Sequence, residues 1–112
     1  MHSKSAKQAR PRAKIFHAFS DPARLEILEF LRGGEKCVCE IFPHLGLIQP
    51  VVSRHLKILK DSGLVRDRKE GNKRLYSVTD PKIFLIIDAA TPDLIDTLSK
   101  RIIEHLVNGG KS

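Results

Sequence analysis

The sequence predicts a mainly α fold carrying one β-hairpin, in the order α-α-α-α-β-β-α, with the chain working as a dimer. Three observations carry that prediction. Apolar residues recur at helical spacing in several short segments. In residues 64–78 the period falls to two on either side of a Gly-Asn turn. The last segment has more apolar residues than a small core can cover. At 112 residues there is room for one domain. A domain of this size buries only about 60–65% of its unfolded surface, so a leftover apolar stripe favours association.

Residues 1–12 are basic and lack apolar periodicity, and they read as a flexible arm. Five cations and no acids occur up to Lys14 (Lys4, Lys7, Arg10, Arg12, Lys14). The domain proper then spans 13–108, leaving 109–112 as a tail. A short first helix places Ile15, Phe16 and Phe19 on one face. Asp21-Pro22 is a helix start, because Asp caps free amides and Pro occupies a position that needs no amide hydrogen. That second helix carries Leu25, Ile27, Leu28 and Leu31, and Gly33-Gly34 ends it. A third helix is expected from about Cys37, through Val38, Ile41 and Leu45 to Gly46, short or bent because of Pro43.

Pro50 opens a fourth helix that runs to Gly63. Val52, Leu56 and Leu59 form one buried stripe, while Ser53, Arg54 and Lys57 lie opposite. Two helices joined by a brief turn, the second apolar on one side and cationic on the other, make a helix-turn-helix. The hairpin that follows is basic, with Arg66, Arg68, Lys69, Lys73 and Arg74 against Asp67 and Glu70, and in that place it reads as a wing. Asp80-Pro81 is expected to cap a further helix, and Thr91-Pro92 to start the last one. There Leu94, Ile95, Leu98, Ile102 and Leu106 form a stripe. With Phe16 and Phe19 of the first helix, Leu94, Leu98, Ile102 and Leu106 are the expected dimer interface. The formal net charge of +7 fits a polyanionic partner, since Lys and Arg on phosphates release condensed counterions.

No stretch approaches the roughly 18 apolar residues of a membrane span, and no apolar run follows the basic N-terminus, so no membrane partner and a cytoplasmic location are expected. Cys37 and Cys39 are too close together to staple a fold, and in a reducing compartment they read as thiols with a task. No nucleophile with an oriented base is evident, so the chain is not expected to be an enzyme.

With these residues in view, the chain resembles the ArsR/SmtB family of metal- and arsenic-responsive repressors. The resemblance rests on AFSDPARLEILEFLRGGEKCVCEI (18–41) and LIQPVVSRHLKILKDSGLVRDRKEGNKRLYSV (47–78), about half the chain in the right order. It implies a homodimer joined by first and last helices, with each recognition helix in a major groove of a palindromic operator of double-stranded DNA. Gln49, Ser53 and Arg54 are the best base-edge readers, because amide and guanidinium groups pair bidentately with adenine and guanine. Lys57, Lys60 and the wing cations Arg68, Lys69, Lys73 and Arg74 are expected on phosphates. Pro50 at the helix start and Asn72 at the hairpin tip complete the expected DNA-facing set. His55 is expected to be packed.

The resemblance also places Cys37 and Cys39 in the family's metal-binding box. On a regular helix, residues i and i+2 point about 200° apart, so one ion reaches both sulfurs only if the first turn is frayed. The arsenite-sensing members carry a third cysteine five residues after the first, where this chain has Phe42. Four options stand. Two thiolates hold As(III) or Sb(III) as inducer. A soft divalent metal, Cd(II) or Zn(II), takes both sulfurs with His44, Glu40 or His2. The pair senses oxidants. Or the thiols merely pack in a winged-helix regulator without sensing. In none of these is a cofactor needed for the fold. Asp93, Asp96, Glu104 and His105 lack the spacing of the family's other metal site, and no zinc is expected there.

Overall fold

A computed structural model describes residues 4–109 of the chain. The element order is α1 (Lys4–Phe19), α2 (Pro22–Leu31), β1 (Lys36–Cys37), α3 (Val38–Leu45), α4 (Gln49–Asp61), β2 (Val65–Glu70), β3 (Lys73–Val78), α5 (Lys82–Asp88) and α6 (Pro92–Val107). The chain divides into two compact units, one up to Pro81 and one from Lys82.

Within the first unit, the Asp21 carboxylate accepts from the amides of Ala23 at 2.8 Å and Arg24 at 3.4 Å, so α2 starts where the Asp-Pro pair predicts. Ile27, Leu28 and Leu31 on α2 are buried, as are Ile41 on α3 and Val52, Leu56 and Leu59 on α4. α3 ends at Gly46, whose φ of 68° is left-handed and suits glycine. Three residues later α4 begins, with Pro50 in its first turn. β2 and β3 pair antiparallel from Val65↔Val78 to Glu70↔Lys73 around Gly71, whose φ of 60° fits a two-residue hairpin turn.

Three expectations are corrected. Residues 4–12 are not a loose arm but the first turns of α1. The stretch carries Ala, Lys and Arg, which favour helix, but Pro11 argues against one and no apolar stripe reveals it. Residues 1–3 of the expected arm, His2 included, and 110–112 of the expected tail lie outside the described residues. The expected order has five helices and the chain has six: α5 follows the Asp80-Pro81 pair and α6 follows Thr91, as those two starts suggest, so two helices come after the hairpin. Finally, the sheet has three strands in the order β1-β3-β2, with Lys36 opposite Tyr76 and Cys37 opposite Leu75. β1 is two residues long and pairs with a strand nearly forty positions away, so no local period announces it.

The second unit comprises α5 and α6. Thr91 caps α6 through its hydroxyl, which accepts from the Leu94 amide at 3.2 Å. Leu94, Ile95, Leu98, Ile102, Ile103, Leu106 and Val107 are all exposed in the single chain. No helix among the described residues is long and apolar enough to cross a membrane.

Candidate nucleic-acid interface and thiol pair

α4 presents two chemically distinct sides. Val52, Leu56 and Leu59 are fully buried, while Gln49, Pro50, Ser53, Arg54, Lys57 and Lys60 are exposed. At 100° per residue those exposed positions fall within an arc of about 140°, so one face of a buried rod is offered outward. Arg54 pairs with no carboxylate among the described residues, and the guanidinium keeps its donors available. Lys57 makes an i,i+4 pair with Asp61 at 3.1 Å, both ends exposed, which stabilises by only a few tenths of a kcal/mol, about 0.3–0.5.

The expected wing cations divide into two groups. Lys69 and Lys73 are exposed and pair with no carboxylate among the described residues; Asn72 is exposed at the hairpin tip beside them. Arg68 and Arg74 are engaged. Arg68 donates from Nε and Nη2 to the two carboxylate oxygens of Glu35, each at 2.8 Å, and also meets Glu70. Arg74 lies 2.7 Å from Asp67, and Lys60 of α4 lies 3.0 Å from the other Asp67 oxygen. The Asp67 side chain retains only 9% of its exposure. The hydrogen bond from Lys60, reinforced by Arg74 and opposed by burial, holds the Asp67 carboxyl below its usual range. Tyr76, opposite Asp67 in the ladder, is pushed up by burial and by the Asp67 charge.

A pH dependence follows from the lowered Asp67 value. The stabilisation from its ion pairs is fully present above the ordinary carboxylate value and is lost as pH falls through the lower folded one. Thermal unfolding of the native chain and Asp67→Asn should therefore differ most above the ordinary aspartate value of about 3.9 and converge as pH falls through the lower folded one. A gap that widens on acidification would contradict this assignment.

Arg24, which sequence reasoning passed over, anchors α4 from behind. It is only 6% exposed. Its Nε donates to the Ala18 carbonyl at 2.7 Å, its Nη2 to the His17 carbonyl at 3.2 Å, and its Nη1 to His55 Nδ1 at 3.3 Å. A guanidinium can only donate, so His55 Nδ1 is the acceptor. His55 is thus packed, as its place on the apolar side of α4 suggests. Arg24 shares the spacing of Ile27, Leu28 and Leu31, and that position on a buried stripe was the available signal.

The thiol pair differs from expectation. Cys37 is not in the helix: with φ −72° and ψ 147° it is extended and serves as the N-cap of α3. Its sulfur accepts from the Cys39 amide at 3.0 Å, and its own amide donates to Glu40 Oε1 at 3.3 Å, a capping box built on a thiol. The expected divergence of about 200° therefore does not arise, because that figure holds for two helical residues. The Cα atoms are 5.0 Å apart and the structure joins the two sulfurs as a disulfide rather than leaving two thiols. Cys37 is buried and Cys39 exposed. His44 stacks on Phe30, with ring centroids 3.9 Å apart. No group of three or more His, Cys, Asp or Glu side chains able to hold a metal occurs among the described residues.

Of the expected interface residues, Phe16 and Phe19 meet edge-to-face with centroids 6.4 Å apart on α1. Phe16 is exposed and Phe19 half-buried, while Leu94, Leu98, Ile102 and Leu106 lie on the uncovered face of α6.

Residues 21–67 match the sequence model of bacterial regulatory proteins of the arsR family. The arsenical resistance operon repressor of Staphylococcus aureus is 38% identical over 96 residues, which cover 86% of this chain and 90% of that protein. An uncharacterized HTH-type transcriptional regulator of Methanocaldococcus jannaschii is 47% identical over 76 residues, 67% of this chain and 85% of the relative. Among solved structures, a homodimeric winged helix-turn-helix DNA-binding domain from Mycobacterium bovis superposes with a TM-score of 0.71 at 26% identity, covering 94% of this chain and 93% of that one.

Proposed function

Because this chain belongs to the ArsR family of DNA-binding transcriptional repressors, we propose that it binds a palindromic operator as a homodimer and releases it when a thiophilic ion, arsenite or antimonite, engages Cys37 and Cys39. The observation that carries the DNA-binding part is the outward face of α4, with Arg54 unpaired above a fully buried stripe. Gln49, Ser53 and Arg54 reach base edges from the start of α4. Lys57, Lys69, Asn72 and Lys73 hold the phosphates on either side. A second copy covers the apolar face of α6, as the homodimeric relative supports, and a two-fold pair sets its reading helices about 34 Å apart.

Sensing is supported by the extended backbone at Cys37, which lets two sulfurs address one ion. Two thiolates are a chelate that As(III) favours over oxygen ligands. The signal has a short route to the DNA side. Cys37 pairs with Leu75 on β3, and the neighbouring Glu35 grips Arg68 on β2. Once a cellular thiol reduces the Cys37–Cys39 bond to two thiols, an ion held by both sulfurs repositions Cys37 and with it the strand that it pairs with.

Oxidant sensing is a second reading, favoured by the bonded sulfurs. There the two thiols lose two protons and two electrons to a peroxide, which leaves as water.

The test is a gel shift on DNA upstream of the protein's own gene, titrated separately with arsenite, Cd(II), Zn(II) and peroxide. Arsenite should release the DNA, and Cys37→Ser/Cys39→Ser should abolish that release. Release by arsenite that survives the double substitution would refute the thiol site. Release by peroxide alone would replace the ion with an oxidant.

A further inference from the structure

We propose that Asp67 is the positioning residue that fixes the wing against the recognition helix, and that it sets DNA specificity by withholding Lys60 and Arg74 from phosphates. An acid in the middle of a basic, DNA-facing surface is unfavourable for affinity: it repels the backbone and neutralises two cations. Yet its side chain is nearly buried, and its two oxygens are split between two elements. One meets Lys60 on α4 at 3.0 Å and the other meets Arg74 on β3 at 2.7 Å. A cleft of about 390 Å³ opens where α4 and the wing converge, lined by Ser53, Lys57, Lys60, Asp67, Arg74 and Tyr76 among others. Asp67 reaches both walls of that cleft, so its carboxylate ties the groove-reading helix to the wing beyond the buried Leu59, Leu64 and Val65 at their junction.

The same contact divides labour between the cations. Lys60 and Arg74 spend their charge inside the protein, while Arg54, Lys69 and Lys73 face outward without a carboxylate partner among the described residues. Phosphate contacts carry no sequence information, and free cations near the duplex raise binding to all sequences alike. Tying two of them down lowers indiscriminate binding while it keeps Arg54 and the wing in register with each other. The inference rests on α4 being the helix that reads the groove.

The experiment compares full-length native protein, Asp67→Asn, Lys60→Gln and the double variant. Each is assayed on a duplex selected from random sequence by the native protein and on an unselected duplex of equal length, across a range of salt. Thermal unfolding reports which variants are folded. In Asp67→Asn, binding to the unselected duplex should tighten, and the salt slope should steepen by about one to two, since each freed cation adds about 0.9. The ratio of selected to unselected affinity should fall about tenfold, the scale of one lost base contact. Lys60→Gln should flatten the slope by about one unit more in the Asp67→Asn background than in the native chain.

An equal gain on both duplexes, with the ratio kept, would overturn the proposal, because Asp67 would then act as a charge and not as a spacer. If Asp67→Asn does not fold, Lys60→Gln alone decides: a slope flattened by a full unit in the native background puts Lys60 on phosphate and overturns the proposal. A native protein with no preference for any duplex would sink the groove-reading assignment itself, a failure visible before any variant is compared.

Discussion

Replacing Arg54 with alanine will weaken binding to the operator by about 1–3 kcal/mol, or roughly 5- to 150-fold, and will relax the base preference at one position of each half-site. Three structural facts set that magnitude. Arg54 lies within the first two turns of α4, where a helix entering a groove meets base edges. It is exposed, and no carboxylate among the described residues competes for its donors. Its helix cannot rotate to compensate, because Val52, Leu56 and Leu59 are fully buried on the opposite side. Isotherms on the operator and on an unrelated duplex of equal length check this, with salt fixed. If both weaken by the same factor, Arg54 holds a phosphate and reads nothing.

Replacing Arg24 with methionine will lower the folding stability by about 2–4 kcal/mol. The volume is nearly kept, so the loss comes from polar groups stripped of partners. The Ala18 carbonyl loses a hydrogen bond of 2.7 Å and His55 Nδ1 loses its donor, and each buried orphan costs about 1–3 kcal/mol. The His17 carbonyl is less affected, since the Ser20 hydroxyl also donates to it at 2.6 Å. For a domain of this size the thermal midpoint should drop by about 10 °C or more at fixed protein concentration. A drop of under about 2 °C would mean that the guanidinium is surplus to the packing.

The sequence made legible whatever is decided by near neighbours. The Asp21-Pro22 cap, Gly46 after α3, the Gly71-Asn72 turn and the alternation of buried and exposed positions along α4 are all settled within a few residues, and each stands where it was expected. The exceptions share a physical origin. β1 exists because Lys36 and Cys37 find Tyr76 and Leu75 across a long loop. Its formation moved Cys37 out of the helix and changed the geometry of the thiol pair. Asp67, Glu35 and Arg24 owe their roles to Lys60 and Arg74, to Arg68, and to His55, and most of those pairings join separate elements. Charges read along the chain as a basic wing are, in space, partly spent on one another. The first turns of α1 escaped notice for the opposite reason, since no apolar stripe marks them and Pro11 lies within them.

The consecutive residues Asp67 and Arg68 point to opposite faces of β2, one toward Lys60 and the other toward Glu35. Sliding the strand by a single residue would exchange those faces. A slip that carries Asp67 to the place of Arg68 sets it against Glu35 and Arg66 against Lys60, while the opposite slip sets Arg68 against Lys60 and Arg74. A short, polar, two-sided hairpin of this kind has little hydrophobic pattern to hold its alignment. Here the alignment is written in charge, and either off-by-one pairing turns at least one attraction into repulsion.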